Sequence, residues 1–261
     1  MIDWMKYRWL YLLISGTVLA MAKWGMAIGI DFTGGVVAEY TFSNGESKTL
    51  KYAPAKIDQA EKERAELKNQ GATEIRFENV GPSIGPELVK KTVYALLVSS
   101  GAILLWIAYR FKSFKFGVSA TLATLHDSLV LLGSFSLLGH FLGAEMDFLF
   151  VTAMLTVLSF SVHDTIVVYD RIREFRKKFP DDTYSLANNA ISETMVRSLN
   201  NSFTIIFMLI ALILMGGETV RWFAVALLVG TISGTYSSPF VAVPIFVTWD
   251  ELGKRFKALK K

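Results

Sequence analysis

Six apolar stretches, each close to the ~20 residues that a bilayer core demands of a helix, dominate this chain. They run from Trp9 to Ile28, Thr92 to Tyr109, Phe116 to Leu138, Phe148 to Tyr169, Ser198 to Met215 and Trp222 to Val247. Within hydrocarbon every backbone N–H and C=O must be satisfied inside the protein, so stretches of this length and composition predict membrane-spanning helices. Hydrophobic residues make up 52% of the 261-residue chain, and they are clumped rather than spread as in a soluble domain. The absence of Cys removes disulfides and thiolate metal sites. A net charge of +4 is ordinary for a membrane protein with basic loops, and it adds nothing in favour of nucleic-acid binding.

The loops orient the spans. Lys6 and Arg8 precede the first; Arg110, Lys112 and Lys115 follow the second; a cationic run from Arg171 to Lys178 follows the fourth; and Lys254, Arg255, Lys257, Lys260 and Lys261 close the chain. The opposite connections carry Glu145, Asp147 and Glu218 beside Arg221, with no basic excess. By the positive-inside rule both termini are cytoplasmic. Lys6, Arg8, the apolar run and Ala20-Met21-Ala22 imitate a cleavable signal, but apolar residues continue from Trp24 to Ile30, which predicts an uncleaved anchor.

One sizeable water-soluble segment remains, from about Asp31 to Pro86, placed outside the cytoplasm by this topology. Val36 to Phe42 has strand composition, Asn44-Gly45 is a hairpin turn, and Ser47 to Tyr52 returns. Pro54 opens a charged helix over Ala55 to Gln70, ended by Gly71, before a third strand at Glu74 to Val80. The expected fold is therefore mainly α, with six transmembrane helices and a small ββαβ α+β domain between the first two. Its divisions are 1–30 for the N-terminus and first helix, 31–87 for the outer domain, 88–249 for helices two to six, and 250–261 for a basic tail. Asp182 is expected to cap a helix near 182–195 that lies along the membrane surface.

Two carboxylates interrupt the apolar spans. Asp164 sits in the fourth, preceded by His163 and soon followed by charged residues. Insertion scales put an ionised carboxylate near a helix centre at roughly 2.5 to 3.5 kcal/mol unfavourable, so it either lines a polar path, faces an opposite charge or reaches headgroup water. Asp127, preceded by His126, lies ~16 Å along the third span and therefore near mid-membrane. Ser128, Ser134, Ser136, Ser159 and Ser161 are candidate hydrogen-bond partners, although small polar residues are also ordinary helix packing. Asp164 lies ~24 Å from the outer end of its helix and Arg197 ~30 Å from the outer end of the next, which runs the other way. The two therefore share a depth, and depth alone leaves open whether they pair or Arg197 snorkels to the interface.

Both His-Asp pairs superficially match a metal phosphohydrolase motif, but each is embedded in an apolar span with no further ligand set. No Gly-rich loop ends in Lys-Ser/Thr, so ATP hydrolysis is not expected, and no metal or cofactor is implied. Gly25, Gly29, Gly34 and Gly35 around Asp31, with Gly81-Pro82 and Gly85-Pro86, mark the two chain crossings into the outer domain, read either as hinges or as simple loop geometry.

Three motifs in order now carry a resemblance. Gly29-Ile30-Asp31-Phe32-Thr33-Gly34-Gly35, Val80-Gly81-Pro82-Ser83-Ile84-Gly85 and Asp164-Thr165-Ile166-Val167-Val168-Tyr169-Asp170-Arg171-Ile172-Arg173-Glu174 resemble the SecF family across nearly the whole chain. The resemblance implies an RND-like membrane subunit that works with SecD beside the SecYEG translocon, SecA and YajC in the cytoplasmic membrane of a bacterium or archaeon. It implies help to exported polypeptides, drawn from the proton-motive force. It also implies a proton pathway through Asp164 and Arg197, with His163 standing where the family usually has Asn. Asp127 and His126 are expected to join the same polar interior and, with His163, the same proton pathway. The competing readings are a non-transducing membrane scaffold and half of an RND-type small-molecule transporter; a proton or a sodium ion would serve equally as coupling ion.

Overall fold

A computed structural model describes residues 3–20, 27–43, 47–81, 84–179 and 182–259. The chain divides into two compact units, one of Met1–Ala27, Leu96–Ala144 and Leu149–Lys261, the other of Ile28–Ala95 with Glu145–Phe148.

The smaller unit is built on a three-stranded antiparallel sheet of order β2-β1-β3, with β1 at Gly35–Thr41, β2 at Ser47–Tyr52 and β3 at Thr73–Val80. The expected strands match within one residue; the Asn44-Gly45 turn lies outside the described residues. Before β1 comes a single helical turn, α2 (Ile30–Thr33), and between β2 and β3 runs α3 (Ile57–Asn69), entered through Pro54. Gly71 ends α3 with φ +79°, a left-handed conformation that costs a glycine nothing. Tyr40, Ala38, Leu67 and Ala72 form the core between β1 and α3. Arg64 of α3 grips Glu74 of β3 through two parallel bonds of 2.7 and 2.8 Å and lies 4.0 Å over the Phe77 ring. The guanidinium holds the Glu74 carboxyl below its ordinary range. Burial, aided by a hydrogen bond to Glu63, pushes the Tyr52 hydroxyl up to about 12.

The larger unit is helical. Five helical runs are long and apolar enough to cross a membrane: α4 (Ile84–Phe111), α5 (Phe114–Leu142), α6 (Phe148–Lys178), α7 (Thr183–Met215) and the run Val220–Phe256. That last run joins α8 (Glu218–Ser237), a π-helical turn at Ser238–Ala242 and α9 (Val243–Leu259). The first expected span is described as α1 (Arg8–Ala20), and residues 21–26 beyond it lie outside the described residues. Five spans, where the sequence suggests six, are thus complete among the described residues. Val93, Leu97, Leu105 and Trp106 of α4 stay exposed within this chain, as suits a helix whose surroundings are lipid or a second subunit.

One element differs from expectation. Asp182 does cap a helix, accepting from the Ser185 N–H at 3.0 Å, but that helix runs unbroken from Thr183 to Met215 instead of stopping near Met195. No Gly or Pro occurs over those residues, so nothing in the backbone breaks the hydrogen-bond ladder. Ala187, Ala190 and Ile191 are buried in the main core, where Phe116 stacks on Phe246 at 4.1 Å. The short N-terminal turn docks on the same part of α7, with the Met5 N–H donating to Asn188 Oδ1 at 2.9 Å and Trp4 Nε1 to Ser192 at 3.0 Å. Asp250 of α9 collects Lys115 at 2.8 Å, the Thr183 hydroxyl at 2.7 Å, Lys254 at 3.4 Å and Arg176 at 3.6 Å, tying four helices at the basic end.

Close approach of α6 and α8 depends on glycine. A Cβ on Gly230 would lie 2.0 Å from Val157 Cγ2, and one on Gly234 3.2 Å from Ser161 Cβ. This spacing of four is the small-residue device by which membrane helices bring their backbones together. Replacing Gly230 with Ala is expected to destabilise the bundle by about 1 to 3 kcal/mol through overpacking, seen as a lower midpoint of thermal unfolding; an unchanged midpoint would contradict the contact. For the smaller unit, a carboxyl whose folded pKa is depressed contributes stability above the ordinary glutamate value of about 4.3 and loses it as pH falls through the folded value. Acid below that value should therefore raise amide exchange in β3 of the full chain, and Glu74→Gln should remove that acid-dependent component. Equal acid responses in the two proteins would show that the pair does not act this way.

Candidate functional site

Asp127 projects from α5 into a site with no exposure to solvent. An ionised carboxylate there must replace its lost hydration with donors. Ser161 of α6 donates to Oδ2 at 2.5 Å, Ser237 of α8 to the same oxygen at 2.6 Å, and Ser233 of α8 to Oδ1 at 2.6 Å. His126 Nδ1 lies 3.2 Å from Oδ1. A carboxylate has about four lone-pair sites, and these four groups match that number. Hydrogen bonds to a charged group contribute roughly 1.5 to 3 kcal/mol each, so the set offsets much of the burial cost.

The helices are shaped for this. Ser233 and Ser237 are four residues apart and share one face of α8. Gly230 and Gly234 let that face approach α6, and Pro239 sits in the π-helical turn immediately beyond. Such turns are rare and concentrate at functional sites. The neighbouring Ser238 hydroxyl reaches the Ser161 carbonyl at 3.1 Å and pairs with Thr165 Oγ1 at 2.9 Å.

Among the expected serines, Ser161 binds Asp127, whereas Ser128 and Ser134 bond to carbonyls of their own helix at 3.0 and 2.8 Å. Ser233 and Ser237 escaped the sequence reading, although two serines at helical spacing within the last apolar span were a usable signal. No group of three His, Cys, Asp or Glu side chains positioned for a metal ion occurs among the described residues.

Asp164 is half-buried and accepts a hydrogen bond from Ser198 Oγ at 2.6 Å. It lines a cleft of about 350 Å³ together with Ser159, Ser161, His163, Ser202 and Thr235. His163 is exposed on α6. Arg197 is exposed and lines a different cleft, of about 520 Å³, with Asp170, Arg171, Glu174 and Glu193. Among the described residues no ion pair within 4 Å joins Arg197 to Asp164, although Arg197 is near enough for a through-space Coulomb interaction. The direct contact falls instead to Ser198, the next residue along α7. Depth along two helices places residues to within a turn, but it does not say which side chain faces across.

The glycine-rich crossing is tightly built. The Gly29 N–H donates to Met146 O at 2.8 Å, and a Cβ on Gly29 would lie 3.0 Å from that oxygen. Gly34 and Gly35 have φ of +73° and +126°. A Cβ on Gly85 would meet Phe32 O at 2.2 Å. Asp31 Oδ2 accepts the N–H of Phe148, the first residue of α6, at 2.8 Å, so its charge sits at a helix N-terminus. A Cβ on Gly81 would meet only Ile84 Cδ1, at an ordinary 3.8 Å, and the Gly81 carbonyl accepts the Ile84 N–H at 3.1 Å; Pro82 lies outside the described residues.

The family model described as "Protein export membrane protein SecD/SecF, C-terminal" matches residues 59–252. The chain is 36% identical to the protein translocase subunit SecF of Thermobaculum terrenum, over 96% of this chain and 94% of that one. It is 40% identical to the protein translocase subunit SecDF of Thermus thermophilus, over 72% of this chain and 25% of that one. A crystal structure of SecDF, a translocon-associated membrane protein from the same organism, superposes with a TM-score of 0.86 at 30% identity, covering 96% of this chain. The super-membrane-facing form of SecDF gives a TM-score of 0.78 at 31% identity. The present chain spans 39% and 40% of the length of those two SecDF chains. With matches that run through α5, α6 and α8, and so through every residue around Asp127 and Asp164, this chain belongs to the SecD/SecF family of protein-export membrane proteins.

Proposed function

We propose that this protein is an accessory subunit of the Sec protein translocase that works with SecD and draws on the proton-motive force to promote export or release of polypeptides. Membership of the family and the match to SecF translocase subunits over nearly the full length support the accessory role. Partnership with SecD is supported by a relative in which the two are one SecDF chain. The present chain covers only part of such a chain, in keeping with a bundle completed by a second RND-like half. The basic loops favour the cytoplasmic membrane with both termini inside, which sets the 31–87 segment outside, against the exported polypeptide, and the cationic ends towards SecYEG, SecA and YajC.

One observation carries the transduction reading: a half-buried carboxylate, Asp164, opens onto a cleft in an apolar bundle and, among the described residues, is held by a single hydroxyl. Such a group gains and loses a proton without dismantling its surroundings. Arg197, next in sequence to the Ser198 that binds it, biases that equilibrium by its charge, and the neighbouring imidazole of His163 adds a second titratable group beside the cleft. Asp164 lies on the helix whose first N–H is held by Asp31. The Gly29–Gly35 stretch forms one hinge into the sheet that follows it, and Gly81 and Gly85 belong to the return crossing. Each proton crossing supplies about 2.3 kcal/mol per 100 mV of potential, enough to bias a domain equilibrium but not to unfold a stable client.

Asp164→Asn keeps an acceptor for Ser198 and removes the titration. It should abolish the gradient-dependent part of export and the accompanying proton flux in vesicles, while assembly with SecD is kept. Full export and flux from an assembled Asp164→Asn complex would instead favour the scaffold.

A further inference from the structure

Asp127 is not the end of its own network. His126 is buried, with 8% of its surface exposed, and among the described residues its Nε2 has no hydrogen-bond partner. That nitrogen belongs to a ring that lines a third cleft, of about 350 Å³, between α1, α5 and α8. Ser15, Ser134, Ser233 and Tyr236 line the cleft with it, along with apolar side chains such as Ile14 and Val130. The walls of the cleft are mainly apolar, and its hydroxyls and imidazole are the polar groups that water entering it would meet.

The ring nitrogens are distinguishable by their contacts. Nδ1 faces an oxygen that already accepts from Ser233, so the 3.2 Å approach is a bond only when Nδ1 carries the hydrogen. In the neutral ring Nε2 is then a bare lone pair, directed away from the carboxylate. Resting on the proton-coupled reading above, we infer that His126 and Asp127 form a second proton-loading site, reached through the α1–α5–α8 cleft and separate from Asp164. The proton binds at Nε2. One N–H bond forms as an O–H bond of a hydronium ion breaks and releases water, and the pair passes from a carboxylate with a neutral imidazole, charge −1, to a carboxylate with an imidazolium, charge zero.

The surroundings let that change register. Among the described residues, Tyr236 of α8 lines the same cleft as His126, and its hydroxyl donates to the Tyr11 carbonyl of α1 at 3.1 Å; on the α6 side, His163 and Asp164 line the cleft that Ser161 borders, while Arg197 of α7 lines another. Among the described residues no cation is paired with Asp127 apart from the ring itself. Ser161 belongs to both sides, donating to Asp127 and lining the cleft of Asp164. Loading strengthens the Nδ1–H bond to the carboxylate, because both partners are then charged. The three serines that hold the same carboxylate from α6 and α8 feel the change directly. The geometry selects a proton over a sodium ion at this site, since all four positions around the carboxylate are taken by donors.

The test uses the complex of this chain with SecD in vesicles carrying an internal pH dye. Asparagine in place of His126 sets an amide N–H near the Nδ1 position, keeps the bond to Asp127 and removes the protonatable Nε2. His126→Asn should lower proton flux about a hundredfold, the scale of a lost positioned proton-transfer group, with the complex still assembled. Unchanged flux in His126→Asn beside abolished flux in Asp164→Asn would overturn this site and leave the Asp164 reading standing; unchanged flux in both would remove the transduction reading itself. If His126→Asn fails to assemble, nitrogen NMR of labelled His126 decides, in a chain whose other two histidines, His140 and His163, are replaced by asparagine. The expected result is an Nδ1–H ring that gains a second proton as pH is lowered. A ring fixed in the Nε2–H form that never titrates would overturn the proposal.

Discussion

A carboxylate wholly removed from solvent recovers its hydration only from donors that the fold brings to it, and Asp127 obtains them from three serines on two other helices and from its own neighbour. Hydrocarbon and protein interior supply no substitute for a missing donor, so α5, α6 and α8 have one arrangement that satisfies the charge. The demand fixes rotation as well as distance: α8 must present Ser233 and Ser237 together, and α6 must present Ser161.

Steric features make that arrangement attainable. Gly230 and Gly234 remove the side chains that would hold α6 and α8 apart, and both lie on the turns that carry the serines. The π-helical turn with Pro239 changes the winding of the run just past Ser237, so Ser237 and Ser238 serve different partners, the carboxylate and the Ser161–Thr165 segment. Below them the fully buried Tyr169 hydroxyl meets Ser119 at 2.7 Å, and its ring packs in a cluster with Phe111, Phe116 and Phe246. Polar satisfaction and aromatic packing thus alternate along α6, from the Asp127 network to the basic end gathered by Asp250.

The two carboxylates are held in opposite ways. Four donors surround Asp127, while Asp164 has one hydroxyl and an open cleft. A group held by many donors serves as a fixed point unless a titratable partner shares its charge, and His126 is such a partner. A group held by one donor exchanges its proton with less rearrangement. Ser161 stands between them, donating to Asp127 and lining the cleft of Asp164.

Much of this was legible in residue order. The apolar runs, the strand ranges, the caps at Asp182 and Gly71 and the isolated carboxylates follow from hydrophobic length, turn chemistry and the cost of a charge in lipid, all of which are local. The motifs around Asp31 and Asp164 further tied the chain to its family before any coordinates. Partner choice was not legible: Ser198 rather than Arg197 contacts Asp164, and Ser233 and Ser237 complete Asp127, because facing depends on helix rotation and on how closely glycines let helices approach. The unbroken helix from Thr183 to Met215 was also missed, since an amphipathic turn and an apolar span read as separate elements when nothing local requires them to join. Composition and spacing therefore determined that the chain crosses a membrane carrying two costly carboxylates. Tertiary packing alone decided which hydroxyls surround each of them and which clefts they reach, since hydrogen bonds are satisfied by distance and angle and not by sequence separation.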